Sequence, residues 1–351
     1  MRPRRFLAWC PLLVLLGLAG CASAPMKMHL GGGGAPAAVW PAPPETPRYR
    51  YVGELTGEEN FTLEGKNAGR RMLAWLVGLG RGRHEAVVLQ RPQAGFTDAE
   101  GRVYVTDVSR AAVYVFDPVA GRLSVWEMAD EDTRFETPLG IVVDARGRVL
   151  VADGDLGRVV ILDGGGHPQG SFGTGVLVRP VGLARDPVTG RIFVADSQAH
   201  DIKVFDGEGH LLETWGRRGE GPGEFNAPTY LCFSGGRLYV TDTLNSRIQI
   251  LDAQGRFLRS FGRRGLYVGD LPRPKGVAVD QDNNVYVVES YYDYLLVFNE
   301  KGEFLLPIGG TGSGIGRFYL PAGVWIDRHH RVYVADAFNG RVVIFEYLGG
   351  A

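Results

Sequence analysis

PAGVWIDRHHRVYVADAFNGRVVIF, Pro321–Phe345, reads as three β-strands joined by two turns. A proline opens an apolar run that Asp327 closes. A polar turn leads into Val332–Asp336, and after Asn339-Gly340 comes a third run, Arg341–Phe345. Short stretches of Val, Ile and Tyr between Gly, Asp and Asn favour strands over helices. The same pattern stands in PLGIVVDARGRVLVADGDLGRVVIL from Pro138 and PKGVAVDQDNNVYVVES from Pro274, and more weakly from Pro92, Pro180 and Pro228. Successive prolines lie 42 to 48 residues apart, which is the period of a four-stranded propeller blade and too long for most helical repeats. Six repeats predict an all-β, six-bladed β-propeller.

Within each unit the expected order is strand a after the proline, as in Gly276–Asp280, strand b as in Val285–Glu289, strand c as in Leu295–Phe298, and strand d as in Phe257–Gly262. The sixth unit stops after strand c, Arg341–Tyr347, and has no strand d of its own. Arg48–Leu55, near the other end of the chain, resembles the outer strands and is expected to supply it. Such closure pairs edges that would otherwise be left open.

The pattern P-x-G-[VI]-x-V-D, then Y-V-[AT]-D, N-x-R-[IV] and F-D-x-x-G resembles the NHL repeat, and TLNSRIQILDAQGRFLRSFG from Thr243 is an especially close match. The resemblance covers roughly residues 48–348 and implies a six-bladed propeller. With the N-terminal features below, it is closest in kind to NHL lipoproteins of Gram-negative envelopes.

Residues 1–20 form a signal peptide: Arg2, Arg4 and Arg5 precede an apolar Phe6–Leu18, and Leu18-Ala19-Gly20-Cys21 resembles a bacterial lipobox. Lipidation at Cys21 would anchor the chain in a membrane, and Ala22-Ser23, lacking an early Asp, points to the outer membrane with the domain facing the periplasm. Residues 21–47, with Gly31–Gly34 and several prolines, are expected to be a flexible tether, leaving the propeller to 48–351. The chain carries 38 Lys+Arg against 39 Asp+Glu. Loss of the leader arginines moves the net charge to about −4, which gives no support to nucleic-acid binding. Of three cysteines, Cys10 leaves with the leader, Cys21 is the lipid site and Cys232 stands alone in a strand, so neither a disulfide framework nor a haem motif is present.

Each strand b ends in an acid: Asp107, Asp153, Asp196, Asp242, Glu289 and Asp336. Recurrence in every unit argues for turn organisation, by accepting backbone N–H groups or pairing with the Arg of N-x-R, over catalysis. The NHL family includes metal-dependent lyases, and related propellers include calcium-dependent lactonases, so a hydrolase or lyase acting at the channel is the competing reading. The channel-mouth positions are Ala94, Gly140, Gly182, Tyr230, Gly276 and Gly323, which offer no set of metal ligands. No catalytic residue, metal or cofactor is therefore assigned. The Gly309–Gly316 run lacks the Lys of a phosphate loop and reads as a mobile inter-blade connection.

Binding is the stronger expectation. The b–c and d–a connections share one end of the ring, and in units three to five they carry Arg217, Arg218, Arg263, Arg264, Arg273 and Lys275 together with Tyr230, Tyr291, Tyr292 and Tyr294. Arg and Tyr combine contact area with directional hydrogen bonds, so this set is the expected interface for an envelope protein, with a carbohydrate ligand as a third class. Residues 57–91 form a long insertion, and Met72, Leu73, Leu76 and Leu79 suggest a short helix over Asn67–Leu79, set over the channel mouth or presented to a partner.

Overall fold

The computed structural model describes residues 26–32, 38–63 and 86–349. Six antiparallel blades radiate from a central channel. Blades one to five are four-stranded and span 92–126, 138–172, 180–215, 228–261 and 274–309, each with its strands in chain order from the channel outward.

Strands b and c are buried on both faces. All of Val149–Asp153 is buried, and so is nearly all of Arg158–Leu162. Their unbroken apolar runs follow from the architecture, because both sides of a blade pack against neighbours, whereas a sheet with one wet face would alternate. Outer strands are wetter, as in Leu211–Trp215, where only Trp215 is buried. That terminal aromatic locks blade to blade. Trp126, Phe172, Trp215 and Phe261 each pack on a glycine in the c–d turn of the following blade, Gly166, Gly209, Gly255 and Gly302, where a Cβ would lie 2.3 to 2.6 Å from the aromatic side chain. These glycines also have φ between 80 and 89°, a region that other residues enter with strain.

Blade six is built from both ends of the chain. Val324–Ile326, Arg331–Asp336 and Arg341–Tyr347 form its inner strands, and Tyr49–Leu55 pairs with the last of these from Tyr49↔Tyr347 to Leu55↔Val342. Tyr49, Tyr51 and Leu55 are buried, the Tyr49 and Tyr286 hydroxyls lie 3.0 Å apart, and Arg341 Nη1 donates to Glu54 Oε2 at 2.9 Å. The closure expected from Arg48–Leu55 is thus present, one residue shorter.

The segment expected to be a free tether, 21–47, is docked at two places in its described part, while 42–46 are exposed. Val39–Trp40 adds a fifth strand to blade six, and Trp40 meets Phe345 edge-on at 5.4 Å. Met26–Met28 pairs with Phe61–Leu63, with Met28 and Leu30 packed on the core between blades six and one. Scattered apolar residues in this Gly/Pro-rich stretch therefore bury enough surface to offset the cost of ordering it. The signal peptide and Cys21 lie outside the described residues, as does the helix expected over Asn67–Leu79. The flanks of that insertion close on themselves through the Gly57↔Val88 bridge. The Gly309–Gly316 run, expected to be mobile, is pinned: Thr311 Oγ1 donates to Asp293 Oδ2 at 2.8 Å and Gly312 N to the Phe318 carbonyl at 2.8 Å.

Candidate functional site

The six a strands meet around the channel, and the glycines noted at its mouth are what let them meet. A Cβ on Gly182 would lie 2.3 Å from the Thr229 carbonyl oxygen of the next blade, and one on Gly323 would lie 2.3 Å from that of Gln93. Tyr230 replaces the glycine in blade four and reaches across the ring, donating its hydroxyl to the Gln93 carbonyl of blade one at 3.0 Å. Burial holds that phenol well above its ordinary range. The side chain is therefore a plug across the channel and not part of the outer rim. Beyond it, toward the a–b turns, lies a cavity of about 390 Å³ with largely apolar walls. Cys232 lines it, and burial pushes the thiol up to about 11, so it stays protonated and unreactive at neutral pH.

The strand-b acids are turn organisers. Asp107 accepts the N–H groups of Gln90, Arg91, Ser109 and Arg110, and Asp153 those of Glu136, Thr137, Asp155 and Leu156. Asp242 and Asp336 add ion pairs with Arg247 at 2.8 Å and Arg341 at 2.9 Å. Arg158, the third basic partner in the repeat, turns instead to Asp130 at 2.7 Å. Burial raises the carboxyls of Glu289 and Asp336 above their usual range, even though N–H donors and, at Asp336, Arg341 oppose the shift. Among the described residues no group of three or more His, Cys, Asp or Glu side chains converges as a metal site would require.

The expected interface residues divide into three sets. Arg217 and Arg263 are exposed but paired, with Glu224 at 2.8 Å and Asp270 at 2.7 Å. Arg218, Arg264 and Arg273 are exposed, with no ion pair or side-chain hydrogen bond among the described residues, and Tyr291 is 62% exposed, edge-on to the half-buried Tyr292 at 4.8 Å. Lys275, Tyr294 and Tyr230 turn inward: Tyr294 packs on the core between blades four and five, and burial, reinforced by Arg273 and Arg91, pulls the Lys275 ammonium below its ordinary range.

Sequence reasoning missed the most exposed apolar group on this surface. In the connection from blade four to blade five, Leu266 is 82% and Tyr267 77% exposed, beside Val268 and next to Arg263 and Arg264. Tyr267 and Val268 edge a shallow groove of about 280 Å³ whose far wall is Phe298 and Phe304. Tyr319 and Phe338 form a second exposed aromatic pair in blade six, 5.7 Å apart, with Arg91 stacked over Phe338 at 4.9 Å. The available signal was an apolar triplet, Leu266–Val268, inside a Gly- and Arg-rich loop, where a core strand is not expected.

A family described as a 6-bladed beta-propeller matches residues 277–350. No curated protein matches the chain. Solved structures similar to it include virginiamycin B lyase from Staphylococcus aureus, with 13% identity, 74% of this chain and 96% of that one covered, and a TM-score of 0.54. Auxiliary nutrient binding proteins from Bacteroides ovatus (14% identity, 73% and 69% covered, TM-score 0.57) and Bacteroides thetaiotaomicron (13%, 74% and 70%, TM-score 0.58) are also similar. At these identities the likeness is one of fold: the chain is a six-bladed β-propeller.

Proposed function

We propose that this protein is a protein-binding platform of the bacterial cell envelope, tethered to the outer membrane by lipid at Cys21. The observation that carries the reading is the exposed Leu266–Tyr267–Val268 ridge set beside Arg263 and Arg264. Large apolar side chains held out on a rigid ring are uncommon without a partner to cover them, and apolar groups ringed by arginine suit a partner with an acidic, partly apolar surface. Solved propellers titled auxiliary nutrient binding proteins lend support to binding in preference to turnover. So do the channel-mouth positions, where glycine, alanine and a plugging tyrosine stand in place of a ligand set.

The test is crosslinking in intact cells followed by affinity purification. Changing Leu266 and Tyr267 to Ser and Arg218 and Arg264 to Glu should remove a specific envelope protein from the recovered material, while stability stays within about 0.5 kcal/mol. Undiminished recovery would move the interface elsewhere. Separately, Cys21→Ser should release the protein from the membrane fraction, and continued retention with lipid labelling would refute the anchor.

A further inference from the structure

The open end of the channel departs from the repeat at two neighbouring places. Six positions after the opening proline, five blades carry a carboxylate that closes the a–b turn: Asp98, Asp144, Asp186, Asp280 and Asp327. Blade four has Ser234 there, followed by Gly235-Gly236. One position earlier stand Thr97, Val143, Phe233, Val279 and Ile326, but blade three has Arg185. Blades three and four are adjacent in the ring, so the blade that lacks the carboxylate adjoins the blade that has gained a guanidinium. The local charge of the mouth is inverted at this one sector.

Both residues line the channel cavity, and among the described residues Arg185 is the single charged one in its lining. Among the described residues, the Arg185 guanidinium and the Ser234 hydroxyl make no hydrogen bond or ion pair. The neighbouring Asp186 is engaged by its own turn, accepting from Val188 N at 2.9 Å and Thr189 Oγ1 at 2.6 Å. Farther in, the walls are apolar, and the raised thiol of Cys232 shows how poorly they solvate charge. Tyr230 closes the inner end. At about 390 Å³ the space lies within the range of small-molecule sites, which combine apolar walls with a few placed polar groups.

We propose that this end of the channel binds a small amphipathic monoanion, its carboxylate or sulfonate held by Arg185 and its apolar body laid against Cys232, Val279 and Trp325. Arginine in such a setting favours an anion strongly, because its planar fork meets both oxygens and the low-dielectric wall strengthens the pair. The site lies at the end of the ring opposite the b–c and d–a connections and does not depend on the partner reading.

Calorimetric titration of the full chain with 2-naphthoate and its neutral amide tests the proposal. The wild-type chain should bind the naphthoate. Arg185→Gln should weaken it by about tenfold or more, as expected for loss of a charge-assisted pair, while binding of the amide changes less than about twofold. Ser234→Asp is the second variant. It restores the carboxylate that five blades already tolerate, so the fold should persist, and by adding negative charge to the cavity wall it should reduce the preference for the anion over the amide. Absence of naphthoate binding to the wild type at millimolar concentration, or equal affinities across all three proteins, would overturn the proposal.

Discussion

Both ends of the ring carry carboxylates, and Asp163 and Asp206 at one end are held in the opposite state to Glu289 and Asp336 at the other. At the end formed by the a–b and c–d turns, Asp163 accepts the N–H groups of His167 and Gly165, and Asp206 those of His210 and Glu208, all at 2.8 to 2.9 Å. Led by the His167 and His210 N–H groups, these donors hold both carboxyls below the usual range, because the groups are wet and charge costs little there. At the other end, Glu289 and Asp336 accept a similar number of donors, yet burial outweighs the hydrogen bonds and raises them. The same device, an acid gathering a turn around itself, is thus nearly free at Asp163 and Asp206 and electrostatically costly at Glu289 and Asp336. These two acids tie the d–a connections before blades five and six to the ends of their b strands, so they fix the surface on which Arg273, Tyr291 and Tyr319 are displayed.

Breaking the closure should have the largest effect on this contrast. A chain beginning at Gly57 loses the burial of Tyr49, Tyr51 and Leu55 and removes Glu54 from Arg341. More than about 5 kcal/mol should disappear on apolar burial alone, and cooperative thermal unfolding followed by circular dichroism should be lost. A melting transition equal to that of the full chain would refute the role given to the strand.

Next is Asp336→Asn. It strips the ion pair from Arg341, whose side chain is only 10% exposed, and should cost about 3 kcal/mol in urea unfolding, a typical figure for orphaning a buried charge. A loss below about 1 kcal/mol would mean that Glu54 and the carbonyls of Gly314 and Arg317 satisfy Arg341 by themselves.

The smallest effect is a difference of slope. Asp163 and Asp206, held low when folded, contribute stability that is present above about pH 4 and lost as pH falls through their folded values. Glu289, held high when folded, does the reverse: its contribution is greatest below the unfolded value of about 4.3 and diminishes as pH rises toward the folded one. The penalty for Asp163→Asn with Asp206→Asn should therefore shrink as pH falls below about 4, and that for Glu289→Gln should shrink as pH rises above about 4. Parallel slopes would erase the distinction between the two ends.

Much of the fold was legible because a propeller repeats its local chemistry. The proline and the strand-closing acid recur at each blade and the channel-mouth glycine at four of the six, so the six a–b–c units and the closing Arg48–Leu55 could be read from spacing and strand composition. What was not legible depends on contacts made once. That Tyr230 spans the ring requires knowing that blade one stands opposite blade four. That Trp40 is docked requires knowing that Phe345 returns to meet it from the other end of the chain. Lys275 and Tyr294 looked like rim residues because residues at strand ends change facing with small shifts of register, which the repeat pattern does not resolve. Recurrence identified the scaffold, and the places where recurrence fails, Arg185, Ser234, Tyr230 and Leu266–Val268, are where individual roles are to be sought.

The composite sixth blade also sets an order in time. Glu54 and Arg341 are 287 residues apart, so Tyr49–Leu55, made before the five four-stranded blades, waits for a strand made after all of them. Until Arg341–Tyr347 is made, Tyr49, Tyr51 and Leu55 have no groove to fill, and five blades can assemble only into an open arc. A chain broken off before Arg341 would keep an unpaired, apolar outer edge, so the ring itself distinguishes chains that include Arg341–Tyr347 from those that do not.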